Sequence, residues 1–381
     1  MKVLIAVTHL LGTGHLSRAL TLARAFGAGD HDARLISGGM AAPHLNHAGV
    51  SVVQLPPLRS DGTNFTRLLD GSGLPATDAL LSSRIAMLRE TLARFQPDIL
   101  VTELYPFGRR ILGDEFTALL DSAHAMPRRP VIFSSIRDIL APPSKPEKAA
   151  RTDAVIAQYY DGVLVHSDPA ATTLDQSWPV SAALADRLFY TGYVAPPEPV
   201  PHPDGVGEGE VLVSAGGGAV GRDLYRVAIQ AAQRLPDRNW RMLVGGADSA
   251  AHIAALQAWA QGSDNITIEP VRPDFRQMLR GAAASVSMCG YNTTLDLLQT
   301  GTPAVLVPFD DGQEVEQSLR ATALAALPAM ITLQARNLSA LTLSQAVEAA
   351  IQTGRRDVSA LRFDGAEETV RLACAMAEAR K

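Results

Sequence analysis

Residues 282–317 read AAASVSMCGYNTTLDLLQTGTPAVLVPFDDGQEVEQ, and their pattern of strand, helix and strand indicates the fold class. The apolar run 282–288 predicts a buried strand, and Cys289-Gly290 then turns the chain into a helix. Gly301-Thr302-Pro303 ends that helix, and residues 304–308 supply the next strand. This order of strand, helix and strand is typical of a parallel α/β sheet.

The start of the predicted helix is a candidate anion site. The N–H groups of a first helical turn have no partner within the helix, and the positive end of the helix dipole lies there, so a phosphate can be held without a lysine. Asp296 lies four residues after Asn292 on the same helix face, where its carboxylate can accept hydrogen bonds from a ribose. Farther along, Glu314, Glu316 and Gln317 offer oxygen and amide groups to sugar hydroxyls.

An ordinary α/β unit is the alternative for this stretch. In that case Gly290, Asn292 and Thr293 only form a turn and a helix N-cap, as many helix starts do. The first half of the chain favours the binding site, because it carries a second unit of the same design.

That second unit opens the chain. Residues 2–7 form an apolar run typical of a buried parallel strand, and Gly12-Thr13-Gly14-His15 precedes an amphipathic helix. The glycines lack the third member of a dinucleotide fingerprint, and no Walker lysine follows. His15 is the first candidate for a general base, because an unperturbed imidazole titrates at a pH of about 6.5. A loop-capping role is the alternative, and His9 is a weaker competitor.

Polar residues also follow the predicted strand 99–102. The carboxyl ends of strands are where α/β sheets present ligand contacts. Glu103 is expected to orient His15 or to bind an acceptor, Tyr105 or Phe107 to stack on a sugar ring, and Arg109 to contact the acceptor. An ion pair between Glu103 and an arginine that steadies a proline turn is the alternative.

Three other features of the first half are interpreted without a direct role in the reaction. Arg137 and His166 lie at strand exits and are interpreted as structure on the acceptor side of the site. Residues 59–77 are rich in Gly, Ser, Asp and Asn, which predicts a long loop. This loop either binds the acceptor as a lid or is a plain excursion of the chain.

The second half restarts the pattern after a proline-rich stretch at 196–203, which marks a domain boundary. Residues 210–214 predict a strand, and Gly216-Gly217-Gly218 precedes a helix from about Gly221. Consecutive glycines let backbone N–H groups converge on an anion, and Arg222 can add a charged contact. The predicted organisation is an N-terminal domain at 1–195, a linker at 196–208, a second domain at 209–362 and a terminal helix at 363–381.

Length and composition agree with this organisation. A chain of 381 residues predicts two or three domains, and contents of 47% hydrophobic and 19% charged residues argue against disorder. The net charge of -5 disfavours a nucleic-acid partner, and two cysteines exclude a disulfide framework or a zinc cluster. No apolar run is long enough to span a membrane. We expect a cytoplasmic protein whose membrane contact, if any, is peripheral.

The run 287–308, followed by Glu316-Gln317, resembles the donor-binding segment of GT-B glycosyltransferases, and family 28 most closely. The resemblance implies an α/β protein of two Rossmann-like domains whose parallel sheets face each other across a cleft. In the family, the turn and helix tip bind the diphosphate of a UDP-sugar, an acidic residue binds the ribose, and a paired acid and amide bind the hexose. The matching positions here are Gly290, Tyr291, Asn292 and Thr293, then Asp296, then Glu316 and Gln317.

The resemblance extends to other loops. Gly-Thr-Gly-His is similar to the first loop of family 28, which implies that Gly14 approaches the donor phosphates, Thr13 the acceptor, and His15 the cleft. The family also implies that the loop at Gly216, with Gly217, Gly218 and Arg222, meets the diphosphate from the other side. Val271 and Arg272 stand where the family reads the uracil base.

Two departures from the family concern donor recognition. The ribose carboxylate is Asp296 rather than the commoner Glu, and Glu316 replaces a Gln, which leaves the identity of the sugar open. The resemblance implies inverting transfer of a hexose, N-acetylhexosamines included, from a UDP-linked donor to a hydroxyl or amine acceptor, either soluble or lipid-linked. No metal and no cofactor are expected. A nucleotide-sugar epimerase or hydrolase and a non-catalytic nucleotide-sugar sensor are the alternatives.

Overall fold

The structure is a computed structural model that describes residues 1–62, 64–216, 221–246, 248–309 and 315–380, with the backbone alone at 64–66. The chain divides into two compact units. The first comprises Met1–Pro169, Thr173–Pro196 and Arg362–Lys381, and the second comprises Ala170–Thr172 and Pro197–Leu361.

A parallel sheet of seven strands forms the centre of the first unit, in the order β3-β2-β1-β6-β7-β8-β9. The strands of this unit are β1 (Lys2–Val7), β2 (Asp32–Ser37), β3 (Ser51–Gln54), β4 (Leu58–Asp61), β5 (Asn64–Asp70), β6 (Ile99–Glu103), β7 (Val131–Arg137), β8 (Gly162–His166) and β9 (Leu188–Tyr190). Its helices before the second unit are α1 (Gly14–Ala28), α2 (Asp78–Phe95), α3 (Gly113–His124), α4 (Pro146–Tyr159) and α5 (Ala182–Ala185).

The apolar strands of this sheet are buried on both faces. In β1, Leu4 packs in one hydrophobic cluster, whereas Val3 and Ile5 pack in another. Alternate side chains of a strand point to opposite faces, so the two clusters lie on the two sides of the sheet. The strand order reverses between β1 and β6, which is where a parallel sheet opens a crevice at its carboxyl ends. His15 follows β1 and Glu103 ends β6, so both side chains are brought to that point.

The prediction of a long loop at 59–77 is wrong for most of its length. Strands β4 and β5 pair antiparallel there. Asp70 closes the turn that follows, because its Oδ1 accepts hydrogen bonds from the N–H groups of Ser72 at 2.9 Å and Leu74 at 3.0 Å. The polar composition therefore reflects a short hairpin and an Asx-type turn. A role for this segment in acceptor binding stays a prediction.

The second unit contains a parallel sheet of six strands in the order β12-β11-β10-β13-β14-β15. These are β10 (Val211–Ser214), β11 (Trp240–Val244), β12 (Ile266–Pro270), β13 (Ala284–Ser287), β14 (Ala304–Leu306) and β15 (Met330–Thr332). The helices are α6 (Arg222–Arg234), α7 (Ser249–Trp259), α8 (Phe275–Gly281), α9 (Tyr291–Thr300), α10 (Glu316–Leu324) and α11 (Ala340–Thr353). Ser214 is paired with Ser287, so the loop at Gly216 and the turn at Gly290 leave neighbouring strand ends.

The last helix, α12 (Gly365–Ala379), belongs to the first unit, where it packs against α1. Ala373 is fully buried, and Cys374 Sγ lies 3.2 Å from His31 Nε2. No helix in the described ranges has the length and apolar character needed to cross a membrane.

The start of α12 allows a test of this packing. A Cβ at Gly365 would lie 2.4 Å from the carbonyl oxygen of Gly192 and 2.7 Å from the carbonyl carbon of Tyr193. We expect Gly365→Ala to lower the free energy of unfolding by about 1–3 kcal/mol, because backbone atoms must move to admit the methyl group. Thermal unfolding measures the effect.

Gly27→Ala is the matched control, because Gly27 also lies in a helix and no described atom comes within 4 Å of its added Cβ. It should leave the melting temperature unchanged or raise it slightly. Equal effects of the two substitutions would contradict the docking of α12.

Candidate functional site

An imidazole and a carboxylate meet at the carboxyl ends of β1 and β6. His15 Nδ1 lies 2.8 Å from Glu103 Oε1. The side chain of Glu103 is 2% exposed, whereas that of His15 is 14% exposed. The carboxylate is therefore buried behind an imidazole that solvent reaches.

Glu103 is held by further donors. The Arg18 guanidinium contacts Oε1, and Ser135 Oγ donates to Oε2 at 2.7 Å. Burial alone would raise the pKa of Glu103, but the charge of Arg18 and the hydrogen bond from His15 outweigh burial and hold that pKa low. Glu103 is thus an ionised, acceptor-only group at neutral pH.

The charge of Glu103 fixes the tautomer of His15. Nδ1 also lies 3.2 Å from Arg18, but it cannot accept from Arg18 and donate to Glu103 at once. The shorter contact to an anion identifies Nδ1–H as the donor to Glu103, with Arg18 bound to the shared carboxylate oxygen. Nε2 then keeps its lone pair, and no described residue donates a hydrogen bond to it.

The imidazole is neutral at neutral pH. Burial lowers the pKa of His15 to about 3, although the hydrogen bond to Glu103 offsets part of that effect. A neutral imidazole with a bare Nε2 can accept a proton, and the buried carboxylate stabilises the imidazolium that forms. Glu103 thus contacts His15, as expected, and also forms an ion pair with an arginine, Arg18, as in the alternative; the catalytic role of the pair stays a prediction.

Sequence reasoning missed the groups behind Glu103. His166 Nε2 lies 2.9 Å from Ser135 Oγ, and His166 Nδ1 lies 2.9 Å from Thr191 Oγ1. All three side chains are fully buried. His166 stood out only as a residue at a strand exit, and Ser135 and Thr191 gave no signal of their own.

The residues expected to contact an acceptor have partners in the first unit. Thr13 Oγ1 lies 3.1 Å from His44 Nε2, and Arg137 Nε donates to the Ile139 carbonyl at 3.2 Å. Arg109 Nε donates to the Thr8 carbonyl at 2.6 Å, and burial lowers the pKa of Arg109 to about 10. Their contact with an acceptor stays a prediction.

The expected stacking of Tyr105 on a sugar is wrong. Tyr105 is 6% exposed, and its ring stacks on Phe116 with centroids 4.8 Å apart and an interplanar angle of 7°. The turn after β6 directs this ring into the hydrophobic core. His9, the competitor of His15, is only 3% exposed and is likewise buried.

In the second unit, α9 begins directly after Gly290, as the sequence predicts. Gly290 is the N-cap residue in an extended conformation, and a Cβ there would meet no described atom within 4 Å. The same holds for Gly14 in the first unit and for Gly216, whose φ of 84° itself favours glycine. Among the described residues, packing thus leaves space beside these three backbones. Gly217 and Gly218 lie outside the described residues.

Asp296 forms an ion pair that the sequence did not reveal. Arg276 Nε lies 2.7 Å from Asp296 Oδ1, and the same guanidinium donates to Gln299 Oε1 at 2.6 Å and to the Pro197 carbonyl at 3.0 Å. Burial raises the pKa of Asp296 to about 6, against the effect of Arg276. The carboxylate is therefore present at neutral pH and is lost within a short interval below it.

Val271 and Arg272, the residues expected to recognise the base, already form hydrogen bonds within the protein. The N–H of Val271 donates to the Val244 carbonyl at 3.1 Å, while 43% of the Val271 residue remains exposed. Arg272 Nε and Nη2 bind Asp274 at 2.8 Å and 2.6 Å. The N–H of Val271 is thus engaged within the protein, and the exposed Val271 side chain is accessible to a base; recognition of a base by Val271 and Arg272 stays a prediction.

The remaining donor residues lie at element starts. Arg222 begins α6 and forms a half-exposed ion pair with Asp248. Tyr291 begins α9 beneath the guanidinium of Arg320, and Asn292 beside it is exposed, with Thr293 next in the same turn.

The residues expected to bind the hexose begin α10. Glu316 is its first residue, and Gln317 Oε1 accepts from the N–H of Phe309 at 3.1 Å. Glu314 lies outside the described residues.

Residues 211–364 match the glycosyltransferase family 28 C-terminal domain. The predicted resemblance to glycosyltransferase family 28 is therefore confirmed for the second half of the chain. The domain includes the loop at Gly216, helix α9 and the start of α10, so every donor residue proposed in the second unit lies within it.

Two relatives share the name UDP-N-acetylglucosamine--N-acetylmuramyl-(pentapeptide) pyrophosphoryl-undecaprenol N-acetylglucosamine transferase. The protein of Prochlorococcus marinus is 29% identical over 137 residues, which is 35% of this chain and 36% of the relative. That of Brucella anthropi is 28% identical over 169 residues, or 43% and 45%. The chain thus matches less than half the length of either relative.

Solved structures establish the fold over the whole chain. The crystal structure of MurG from Acinetobacter baumannii is 15% identical, with a TM-score of 0.63 over 98% of this chain and 99% of that one. The calicheamicin glycosyltransferase CalG4 is 17% identical, with a TM-score of 0.63 over 100% and 98%. The predicted GT-B fold with two Rossmann-like units is confirmed.

The buried pairing of Glu103 with Arg18 gives a prediction on stability. Glu103→Gln keeps an oxygen for His15 Nδ1–H but removes the charge that the buried Arg18 guanidinium contacts. We expect a loss of about 3 kcal/mol in the free energy of unfolding, because removing one charge of a buried ion pair is costly. Urea unfolding at neutral pH measures it.

Glu90→Gln supplies the control, since Glu90 pairs with Arg94 on an exposed helix face. Its cost should be below about 1 kcal/mol. A Glu103→Gln protein as stable as the control would show that the carboxylate is not ionised and paired as described.

Proposed function

We propose that this protein transfers a hexose from a nucleotide-diphosphate sugar, with UDP as the nucleotide, to a hydroxyl or amine acceptor with inversion. The observation that carries the proposal is the His15–Glu103 pair, which presents a neutral imidazole with a bare Nε2. The family 28 domain in the second half of the same chain supports a nucleotide-sugar donor.

His15 acts as the general base in this proposal. Nε2 accepts the proton of the acceptor hydroxyl or amine as that atom attacks the anomeric carbon of the sugar. The bond from the anomeric carbon to the diphosphate breaks, and its electron pair leaves with the diphosphate. A single displacement of this kind inverts the anomeric configuration. Glu103 keeps its charge and stabilises the imidazolium.

The second unit supplies the donor site. The first-turn amides of α9 and the backbone at Gly216 stabilise the charge that develops on the leaving diphosphate, because they are oriented before the reaction begins. Asp296 accepts hydrogen bonds from the ribose hydroxyls, and Glu316 and Gln317 bind the hexose. The side chain of Val271 covers the base. The proposal involves no metal or cofactor.

The relatives' names support the choice of donor. Both names specify transfer of N-acetylglucosamine from its UDP derivative to a lipid-linked acceptor. We extend the donor class to this chain and propose UDP-linked N-acetylhexosamines as the first donors to test. The acceptor is proposed only by chemistry, as a small molecule or lipid-linked glycan that carries a hydroxyl or amine.

Replacement of His15 tests the proposed reaction. We expect His15→Ala to lower kcat by about 100-fold or more, since general-base catalysis contributes factors of about 10² to 10⁴. The measurement is UDP release from UDP-sugars across a panel of hydroxyl and amine acceptors. His124→Ala is the control, because His124 binds the Tyr159 carbonyl through Nε2 and has no part in the proposed site.

Two outcomes favour the alternatives. Turnover of UDP-sugars without any acceptor, at a rate that acceptors do not raise, points to an epimerase or hydrolase. Binding of UDP-sugars with no turnover points to a sensor, and either result contradicts the transferase.

The raised pKa of Asp296 predicts how donor affinity depends on pH. A protonated carboxyl is a weaker acceptor than a carboxylate, so the affinity for UDP should fall as the pH drops through about 6. We expect Asp296→Asn to weaken UDP binding roughly tenfold at pH 7 and to leave only the pH dependence of the terminal phosphate of UDP, which itself titrates at about pH 6. Calorimetric titration at pH 5 and pH 7 measures both effects.

Asp237→Asn, at an exposed turn, controls for a change of net charge and should bind UDP as the wild type does. If Asp296→Asn binds UDP as tightly as this control at both pH values, Asp296 is not the ribose ligand.

A further inference from the structure

A line of buried hydrogen bonds runs behind the imidazole of His15. We call Glu103, Ser135, His166 and Thr191 the Glu103 chain. Ser135 Oγ is 2.7 Å from Glu103 Oε2 and 2.9 Å from His166 Nε2, and His166 Nδ1 is 2.9 Å from Thr191 Oγ1. Every residue of the chain is at most 2% exposed.

The hydrogen bonds of the Glu103 chain have a fixed direction at its inner end. Ionised Glu103 can only accept, so the single hydroxyl proton of Ser135 is committed to Oε2. Ser135 Oγ must then accept from His166, which places the proton of His166 on Nε2. Because burial keeps His166 neutral, its Nδ1 is left as an acceptor for the hydroxyl of Thr191, which also lies 3.0 Å from the Gly192 carbonyl oxygen.

Sheet geometry holds these groups in place. Glu103 and Ser135 are paired residues of the adjacent strands β6 and β7, and His166 is the last residue of β8, next to β7. Thr191 follows β9 at the edge of the sheet. The carboxylate of Glu103 is thus fixed by four neighbouring strands, whereas His15 approaches it from a helix.

We propose that Ser135 and His166 are positioning residues that act on His15 through Glu103. They hold Oε2 so that Oε1 faces His15 Nδ1, and they limit the basicity of the carboxylate that His15 binds. This inference rests on the proposed function for its effect on turnover, but its effect on the titration of His15 does not depend on turnover.

Several charged or titratable groups face Glu103. Helix α1 contributes His15 and Arg18, the segment after β6 contributes Arg109, and β8 contributes His166. Burial lowers the pKa of His166, and the charge of Arg18 lowers it further, so this imidazole is neutral. Toward Ser135 it acts as a hydrogen-bond donor and carries no charge. Removal of Ser135 Oγ therefore changes a hydrogen bond to Glu103 without removing a charge.

Ser135→Ala is the main test. The carboxylate loses one donor, so it becomes more basic and binds the His15 proton more strongly. The pKa of His15 should rise, and the acid limb of the kcat/KM profile should move to higher pH. We expect kcat to fall roughly tenfold, because the loss of this hydrogen bond leaves Oε1 less firmly held against His15 Nδ1 and that loss outweighs the gain in basicity, with no change in the KM for the donor.

Ser134→Ala is the matched control. Ser134 is also fully buried in β7, but its Oγ donates to the Tyr105 carbonyl at 2.8 Å on the other face of the sheet. This variant loses a buried serine hydrogen bond without touching Glu103, so it should keep the wild-type pH profile and kcat.

Two variants of His166 separate positioning from packing. His166→Gln can place an amide N–H near the position of Nε2, so this variant should keep the pH profile of the wild type. His166→Leu keeps roughly the same volume but removes the donor to Ser135, whose hydroxyl still reaches Glu103 Oε2, so it should shift the pH profile in the same direction as Ser135→Ala but by less.

NMR titration of the His15 ring in these proteins closes the test. A rise of the His15 pKa in Ser135→Ala, absent in Ser134→Ala, supports the proposal, and equal titration in wild type and Ser135→Ala overturns it. If the wild type turns over no nucleotide sugar, the proposed function fails, but the titration still decides whether the Glu103 chain acts on His15.

Discussion

The first unit depends on the burial of one carboxylate. A charge removed from water is tolerated only when donors surround it, and Glu103 receives them from His15, Arg18 and Ser135. These donors come from α1 and β7, so the carboxylate also fixes how the helix after β1 sits over the sheet. The same contacts that stabilise the Glu103 charge also set the tautomer of His15. The burial of Glu103 therefore constrains both the position of α1 and the protonation of His15.

In the second unit the proposed anion site consists of backbone groups, whereas the proposed catalytic pair of the first unit consists of side chains. The turn at Gly290 and the loop at Gly216 leave adjacent strands, and no described atom fills the space beside either glycine. Helix dipoles and amides oriented in this way favour an anion without the cost of burying a lysine. Asp296, held by Arg276, adds a carboxylate whose ionisation is sensitive to pH near neutrality.

The features that could be predicted from the sequence are those that a local pattern of residues determines. Apolar strand runs, the glycine turns and the residues at strand ends follow from spacing, and they identified both Rossmann-like units and the His15–Glu103 pair. The roles of Ser135 and Arg276 arise only when distant segments meet, so no local signal marked them. Tyr105 was assigned wrongly because a residue just after a strand can turn either into the core or toward a ligand. The hairpin at β4 and β5 was missed because polar turn residues hid its short strands.

Glu103 holds His15 as a neutral imidazole with its proton on Nδ1 and a lone pair on Nε2. Nitrogen-15 NMR of the His15 ring at neutral pH can verify this state, because the shift of each ring nitrogen depends on whether that nitrogen carries a proton. We expect a protonated Nδ1 and an unprotonated Nε2. A proton on Nε2, in either the other tautomer or an imidazolium, would contradict it.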